Sequence, residues 1–401
     1  MNRQKLKQEG RIWVEEGIIS QEQYDQILNR YVHKDPNFII NLFAILLTGL
    51  GFLTFIMTEW ARQPHISRVI IFTVITIAFL VWGHILYRKR PDMLAVSFIV
   101  LGYIVFGAGM LLTITIYQVQ IDSAWPFIIW AIAGLGLYFI YKHKLLFTIA
   151  IAVTTIGQLY SVSQTGSFDW ILLLILLLGF GHFAYHHANY LFSYLCSISF
   201  SIQMLILAIA EEQQYYWLIV YYLVLYLAGD LVPKQVFQKP FKLISLLSIF
   251  IMSMYQTFML QEDFFMNKVE FQWSFAIVWI VLFVIAVLLK LIQHRKYELM
   301  DLLLFLPIVF LPFSYILSLT ILFIFSLGWL FLGYRQDNNE YILLGTTAFL
   351  FSTFTVFIQF AWDAINKSLF FMIGGILLFL ISFSVDRQRR AIAVKHKEGE
   401  K

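Results

Sequence analysis

The sequence predicts an all-α integral membrane protein, a polytopic bundle of about 14 transmembrane helices with a short cytoplasmic helical hairpin at its N-terminus. Of the 401 residues, 60% are apolar and only 13% are charged, whereas about 25% of residues are charged in an ordinary soluble domain. The apolar residues form successive blocks of about 18 to 23, each long enough to cross a hydrocarbon core of about 30 Å as a helix. A third observation, the placement of the basic residues, orients the bundle.

The cytoplasmic hairpin is predicted over residues 1–36. Ser20 and Gln23 have the spacing of a capping box, in which each side chain accepts a hydrogen bond from the other residue's backbone N–H. A unit this small cannot bury enough apolar surface to be stable alone. We therefore expect its apolar face to lie on the bundle, on lipid head groups or on a cytoplasmic protein. The candidate partner face consists of Trp13, Tyr24 and Leu28.

The transmembrane bundle is expected over residues 37–386, followed by a basic cytoplasmic tail at 387–401. Its fourteen blocks lie at about 38–58, 68–87, 93–116, 124–141, 145–160, 170–186, 189–210, 215–232, 241–260, 272–293, 299–313, 315–334, 341–362 and 368–385. The eleventh and twelfth blocks are separated only around Pro307 and Pro312. Merging them would give thirteen spans and place the C-terminus on the other side of the membrane.

The basic residues indicate the topology. With a cytoplasmic N-terminus and fourteen crossings, only Arg62, Arg68, Lys268 and Lys367 of the 28 Lys and Arg lie outside. Such a bias is expected because Lys and Arg resist translocation and are attracted to anionic cytoplasmic head groups. Both termini are therefore expected inside. The basic residues are spread over separate segments rather than gathered on one face, which excludes nucleic acid as a partner.

Three stretches of the chain resemble a known family. They are WVEEGIISQEQYDQILNRY at 13–31, LFAILLTGLGFLTFIMTEW at 42–60 and LGYIVFGAGMLLTITIYQ at 101–118. They resemble bacterial multi-pass membrane proteins known only as a domain of unknown function, the DUF2157-type membrane proteins, over roughly the first third of the chain. The resemblance implies a location in the bacterial cytoplasmic membrane, and it brings no activity, substrate or catalytic residue.

Ionisable residues are expected at the ends of spans rather than within them. Asp230, Glu298 and Asp301 lie at predicted inner ends, near Lys234 and Arg295, and we interpret them as interfacial ion pairs. Charged groups are costly at the bilayer centre and are functional where they occur there. This interpretation argues against a proton or sodium pump that relies on a buried carboxylate.

Uncharged polar residues are better candidates for function. An amide or hydroxyl within hydrocarbon needs a partner from another helix or a cavity. The candidate polar pathway consists of Gln118, Gln158, Tyr222 and Tyr226. The two tyrosines also suggest a surface on which a lipid or sugar stacks. The alternative interpretation is that these groups form interhelical hydrogen bonds that hold the bundle together.

No catalytic, cofactor-binding or metal-binding residues are identified. The sequence has no phosphate-cradling GxxxxGK loop, no GxSxG elbow and no HExxH helix. His182 and His186 are spaced for one helical face, but a metal site needs three or four ligands. With one cysteine in the chain, Cys196, neither an intrachain disulfide nor a cysteine-based metal site is expected. No cofactor is expected, and the pattern favours a protein that is not an enzyme.

Three classes of function stay open. The favoured one is the binding or transport of a hydrophobic or amphiphilic molecule, such as a lipid or a lipid-linked precursor. The second is a non-transporting scaffold or stress sensor whose hairpin recruits a cytoplasmic partner. The third, a membrane-embedded transferase or hydrolase, would need clustered acids at one membrane face. The predicted outer carboxylates are scattered instead: Glu59, Asp122, Asp169, Glu211, Glu212 and Asp363.

Overall fold

The computed structural model describes residues 65–118, 123–261 and 269–364, with short stretches between residues 13 and 54 and between 368 and 379. In the described part of the chain every regular element is helical. The chain forms two compact units, residues 1–120 and residues 121–401. Leu28 and most of the first and fourteenth predicted spans lie outside the described residues.

Unit 1 contains a pair of long helices, α1 (His65–Lys89) and α2 (Met93–Ile116). Helix α2 begins after Asp92, whose carboxylate accepts a hydrogen bond from the backbone N–H of Ala95 at 3.0 Å. This cap satisfies one of the backbone donors that a helix leaves unpaired in its first turn. Phe72 of α1 and Val105 of α2 are buried against each other in the contact between the two helices.

Unit 1 also includes Ser20, Gln23 and Tyr24 of the predicted hairpin. The backbone N–H of Gln23 donates to Ser20 Oγ at 3.2 Å, and the backbone N–H of Ser20 donates to Gln23 Oε1 at 3.0 Å. These reciprocal bonds confirm the predicted capping box. Tyr24 is 8% exposed and Trp13 is half-buried.

The described part of unit 2 includes nine helices of 15 residues or more. They are α3 (Trp125–Tyr141), α4 (Lys144–Thr165), α5 (Trp170–His187), α6 (Tyr190–Ala210), α7 (Trp217–Leu231), α8 (Gln235–Gln261), α9 (Trp273–Ile292), α10 (Ser314–Gln336) and α11 (Asn339–Ala364). One turn of α5, Ile175–Phe180, is a π-helix. Polar residues cap several of these helices: Asp169 precedes α5 and Asn189 precedes α6, and each accepts from a backbone N–H of the first turn.

Helices α1 to α11 coincide with the second to tenth, twelfth and thirteenth predicted spans. In the described part of the chain, nine helices are long and apolar enough to cross a membrane. Helices α3 and α7 are apolar but shorter, with 17 and 15 residues. The prediction of an all-helical membrane bundle is therefore confirmed, while the count of about 14 spans stays a prediction.

The eleventh predicted span, 299–313, is not an α-helix. Its chain forms 3₁₀ helices over Lys296–Phe305 and Ile308–Phe310, and we call residues 296–313 the crossing segment. Pro307 lacks the backbone N–H and restricts the preceding residue, which disfavours a continuous α-helix there. At the start of the segment Asp301 bonds to Tyr226, near the end of α7. At the other end the ring of Phe310 lies 5.1 Å from that of Tyr216, just before α7.

Between Asp301 and Phe310 the crossing segment thus runs antiparallel to α7. Leu302, Leu304 and Phe305 are at most 2% exposed. Irregular backbone at membrane depth is tolerated where protein surrounds it, and this burial meets that condition.

The hairpin of α10 and α11 is packed unusually closely at two glycines. A Cβ atom built on Gly345 would lie 2.4 Å from the backbone nitrogen of Leu330, and one on Gly333 would lie 2.5 Å from that of Ile342. Neither backbone nitrogen can move without shifting its helix. Glycine at both positions therefore permits the close approach of the two helices.

Candidate functional site

Six ionisable side chains meet at one end of unit 2, where α7 and α9 end and α8 begins. We call them the charge cluster: Asp230, Lys242, Lys290, Arg295, Glu298 and Asp301. Asp230 comes from α7, Lys242 from α8 and Lys290 from α9, while Glu298 and Asp301 come from the crossing segment. The predicted topology places this end of the bundle on the cytoplasmic side.

Two lysines and two carboxylates form a closed ring within the cluster. Lys242 Nζ lies 2.5 Å from Asp230 and 2.7 Å from Glu298. Lys290 Nζ lies 2.6 Å from Asp230 and also contacts Glu298. The side chains of Asp230 and Lys290 are 0% exposed. A buried ion of this kind is tolerated only when it is paired, and here each charge has two partners of opposite sign.

Asp301 is held differently from the other two carboxylates. Its Oδ2 accepts from the Tyr226 hydroxyl at 2.7 Å, and its Oδ1 accepts from Trp329 Nε1 at 2.9 Å. Asp301 is 2% exposed, and both donors are buried. The same Tyr226 ring has Lys290 Nζ 4.5 Å from its centre, a cation–π contact that is strengthened by the absence of water. Tyr226 therefore links Asp301 to the ring of ion pairs.

Arg295 forms the exposed edge of the cluster. Its Nη1 lies 3.7 Å from Asp230 and 3.8 Å from Glu298, and its side chain is 37% exposed. Three and four residues before it in the chain, Ile292 and Leu291 at the end of α9 are 71% and 45% exposed. A partly exposed guanidinium thus follows an exposed apolar helix end closely in the chain.

The interpretation of the acidic residues as interfacial ion pairs is wrong for Asp230 and Asp301, because both are buried. Asp230 pairs with Lys242 and Lys290 rather than with Lys234. Lys234 donates to the backbone carbonyl of Tyr185 at 2.6 Å instead. The sequence did hold a signal: Lys290 lies within the apolar run VIAVLLKLI of the tenth predicted span. A charge inside such a run indicates a buried partner.

The residues of the predicted polar pathway lie in different places. Gln118 is exposed in a turn after α2, in unit 1. Gln158, Tyr222 and Tyr226 belong to unit 2 and are buried at 0%, 4% and 0% exposure. Only Tyr226 contacts the charge cluster. The burial of both tyrosines is inconsistent with a lipid-stacking surface at their rings.

Helices α4 and α6 run parallel, so positions on α6 can be matched to Gln158 on α4. The rings of Phe147 and Phe192 stack with 4.0 Å between their centres. Further along both helices the hydroxyls of Thr155 and Ser199 lie 2.7 Å apart. The nearly constant offset in residue number between contacting positions shows that the two helices have the same direction.

Gln158 therefore lies at the level of Gln203, about one turn beyond the Thr155–Ser199 contact. Both amides are fully buried. Gln203 Nε2 donates to Ser199 Oγ at 3.4 Å, whereas neither amide atom of Gln158 has a hydrogen-bond partner among the described residues. Gln158 is thus a member of the predicted pathway whose hydrogen-bonding capacity is unused among the described residues.

The histidines do not form a metal site in the described part of the chain. The rings of His182 and His186 lie 4.3 Å apart on the exposed surface of α5. No group of three or more His, Cys, Asp or Glu suited to a metal occurs among the described residues.

In unit 1 an open apolar groove of about 310 Å³ lies between α1 and α2, lined by residues that include Val69, Phe72 and Met110.

Comparison with known proteins supports the membrane assignment. No curated protein and no solved structure matches the chain. The charge cluster, beginning at Asp230, lies beyond the part of the chain that a family model matches. The chain is a membrane protein whose residues 11–147 match the model of a family of unknown function, described as Predicted membrane protein (DUF2157).

Proposed function

We propose that this membrane protein binds or moves a hydrophobic or amphiphilic molecule, such as a lipid or a lipid-linked precursor, whose head group binds at the exposed edge of the charge cluster. The observation that carries the proposal is the position of Arg295. Its 37% exposed side chain contacts Asp230 and Glu298 of the charge cluster, and it follows the exposed apolar end of α9 within four residues of the chain.

The surface of α9 suits the apolar part of such a molecule. The buried residues of this helix are Phe275, Ala286 and Lys290. Near Lys290 the side chains of Leu288, Leu291 and Ile292 are 50%, 45% and 71% exposed. An acyl chain lying along these residues would bring its head group to Arg295, since basic pockets beside transmembrane helices bind anionic lipid head groups.

The crossing segment supports movement as well as binding. Transporter sites are commonly formed by discontinuous membrane elements at which backbone and charged groups are available to a ligand. The crossing segment combines non-α backbone with a buried acid, Asp301, and a partly buried one, Glu298. The likeness to transporters concerns architecture alone, and an assay of lipid movement in vesicles tests it.

The scaffold or stress sensor is the second candidate. It requires the hairpin to present an apolar face to a cytoplasmic protein. Tyr24, at the centre of the predicted partner face, is 8% exposed, which leaves little of this side chain for a partner. No observation on the described residues favours this function over the first.

The test is native mass spectrometry of the full chain extracted with bound lipid, supplemented with phosphatidylglycerol and phosphatidylcholine. Wild type is compared with Arg295→Gln and with the control Lys239→Gln. Lys239 pairs with Glu340 at 2.6 Å in an exposed position. We expect wild type and the control to retain phosphatidylglycerol and Arg295→Gln to lose it, because an anion needs the guanidinium.

Movement is tested on the same variants in vesicles, by following the accessibility of a fluorescent phosphatidylglycerol to an added reductant. Faster exchange with wild type and the control than with Arg295→Gln supports transport. Equal lipid retention by all three proteins would contradict the proposed site. Absence of retained lipid, together with a protein partner that is lost when residues 1–34 are deleted, would favour the scaffold.

A further inference from the structure

Asp301 is a buried acid whose charge is not matched by a neighbouring cation. Among the described side chains no Lys or Arg nitrogen lies within 4.0 Å of its carboxylate. Its hydrogen bonds come from two neutral donors, Tyr226 and Trp329. A carboxylate removed from water without a paired cation is strongly disfavoured relative to the neutral acid.

Among the described residues, the neighbouring elements explain why no cation pairs directly with Asp301. Lys242 of α8 and Lys290 of α9 are each shared between Asp230 and Glu298. Helix α10 contributes the indole of Trp329, which carries no charge. The titratable and charged groups that face Asp301 are thus Tyr226 and Asp230 from α7, Lys242 from α8, Lys290 from α9 and Glu298 from the crossing segment itself.

The hydrogen bonds around Asp301 are compatible with both the ionised and the protonated acid. A tyrosine hydroxyl both donates and accepts, whereas an indole N–H only donates. When the acid is ionised, Tyr226 donates to Oδ2 and Trp329 donates to Oδ1. When a proton is bound at Oδ2, that O–H donates to the Tyr226 oxygen, and Trp329 continues to donate to Oδ1. Proton uptake therefore requires rotation of a hydroxyl rather than movement of a helix.

The charge of the whole cluster depends on this proton. With Asp301 ionised, three acids balance the three basic groups. When Asp301 takes up a proton from water, its charge changes from −1 to 0 and the cluster is left with one net positive charge. The cation with the greatest exposure is Arg295, at 37% against 13% for Lys242 and 0% for Lys290. The excess charge is thus available at the edge where the head group is proposed to bind.

We propose that Asp301 is a proton-binding site, and that its protonation strengthens the binding of an anionic head group at Arg295. The second half of the proposal rests on the proposed function. Because coupling between two binding sites is reciprocal, anion binding also strengthens proton binding by the same factor. A proton and an anionic amphiphile would then bind together.

The first measurement is pH-difference infrared spectroscopy of the full chain in vesicles. We expect a carboxylic acid carbonyl band that grows as pH falls and is missing from Asp301→Asn, a substitution of nearly the same shape. Asp169→Asn is the control, because Asp169 is a partly exposed helix cap for which asparagine substitutes well. Tyr226→Phe tests the site independently: it removes the reversible hydrogen bond, so the band should shift in frequency.

The second measurement is retention of phosphatidylglycerol by the full chain at acidic and alkaline pH. We expect retention by wild type to strengthen about fivefold or more on acidification, within the usual range of coupling. Asp301→Asn, which is always neutral, should bind tightly at both pH values.

The two measurements test the proton site and its coupling to lipid binding separately. A band that is missing in wild type, that persists in Asp301→Asn, or that does not shift in Tyr226→Phe overturns the proton site. Retention by wild type that does not change with pH overturns the coupling. Absence of lipid retention at every pH contradicts the proposed function, while the infrared band still tests Asp301.

Discussion

Replacing Lys290 by methionine should destabilise the protein far more than removing an exposed lysine at the same end of the bundle. Methionine is close to lysine in length and keeps the apolar contacts of the stem, so the substitution mainly removes a charge. The change deprives Asp230 of one of its two lysines and leaves Glu298 with Lys242 and the more distant Arg295. It also removes the cation above the Tyr226 ring.

The expected magnitude follows from burial. Lys290 and Asp230 are both 0% exposed at the side chain, and removing one partner of such a pair costs about 3–5 kcal/mol, because the other charge is left under-compensated. The control pair Lys239–Glu340 is 53% and 68% exposed, and pairs of this kind contribute about 0–1 kcal/mol. We therefore expect Lys290→Met to lose at least about 2 kcal/mol more than Lys239→Met.

The assay is equilibrium unfolding of the purified protein in mixed micelles with increasing fraction of a denaturing detergent, followed by tryptophan fluorescence. A double variant, Lys290→Met with Asp230→Leu, separates loss of charge from loss of shape. It leaves Lys242 and Glu298 paired, and replacing a whole buried pair by apolar groups is often neutral. Most of the lost stability should therefore return. Equal losses for Lys290→Met and Lys239→Met, or no recovery in the double variant, would refute the buried ring of ion pairs.

Two further predictions concern other parts of unit 2. Gly345→Ala should destabilise the hairpin of α10 and α11 by at least about 1 kcal/mol, the lower end for overpacking, because its Cβ would lie 2.4 Å from a backbone nitrogen. Gly136→Ala, with nothing within 4 Å of its Cβ, should be neutral or slightly stabilising in the same detergent titration, and equal effects of the two would contradict the close approach. Burial, and to a lesser degree an adjacent lysine, lowers the pKa of His143, whose Nδ1 accepts from the backbone N–H of Leu145 at 3.2 Å. The folded state therefore binds this proton less tightly than the unfolded state, so the contribution of His143 is complete above about pH 6.5. It is lost as pH falls through the lowered pKa. Thermal unfolding of His143→Asn should therefore depend less on pH than that of wild type. An unchanged pH dependence would show that His143 does not contribute to it.

The membrane helices were largely predictable because the cause of each helix is local. The third predicted span, 93–116, has the same limits as α2, and the fourth and seventh differ from α3 and α6 by one residue at the start. The capping box at Ser20 was predicted for the same reason, since its two bonds join residues three apart. The eleventh span shows where this reasoning fails. An apolar composition requires burial, and it does not choose between α and 3₁₀ geometry.

The candidate site was predicted only in part. Gln158 and Tyr226 were selected because polar groups in hydrocarbon need partners, and Tyr226 proved to bond to Asp301. Lys290, three residues before the end of the tenth predicted span, was counted only as one of the basic residues on the cytoplasmic side. From sequence alone, a lysine at that depth can extend to the membrane surface or turn inward to an acid. Only the neighbouring elements decide between the two.

The sequence by itself thus determined that this chain is a helical membrane protein, and where most of its described helices begin and end. Those properties follow from the free energy of placing each segment in hydrocarbon or water, which depends on local composition. The tertiary structure alone decided that Asp230, Lys242, Lys290 and Glu298, carried by four separate elements, form one largely buried ring, and that Asp301 lies beside it with no paired cation among the described residues. Ion pairing depends on which charges are brought within a few ångströms of one another, and that is fixed by the packing of the helices rather than by their order in the chain.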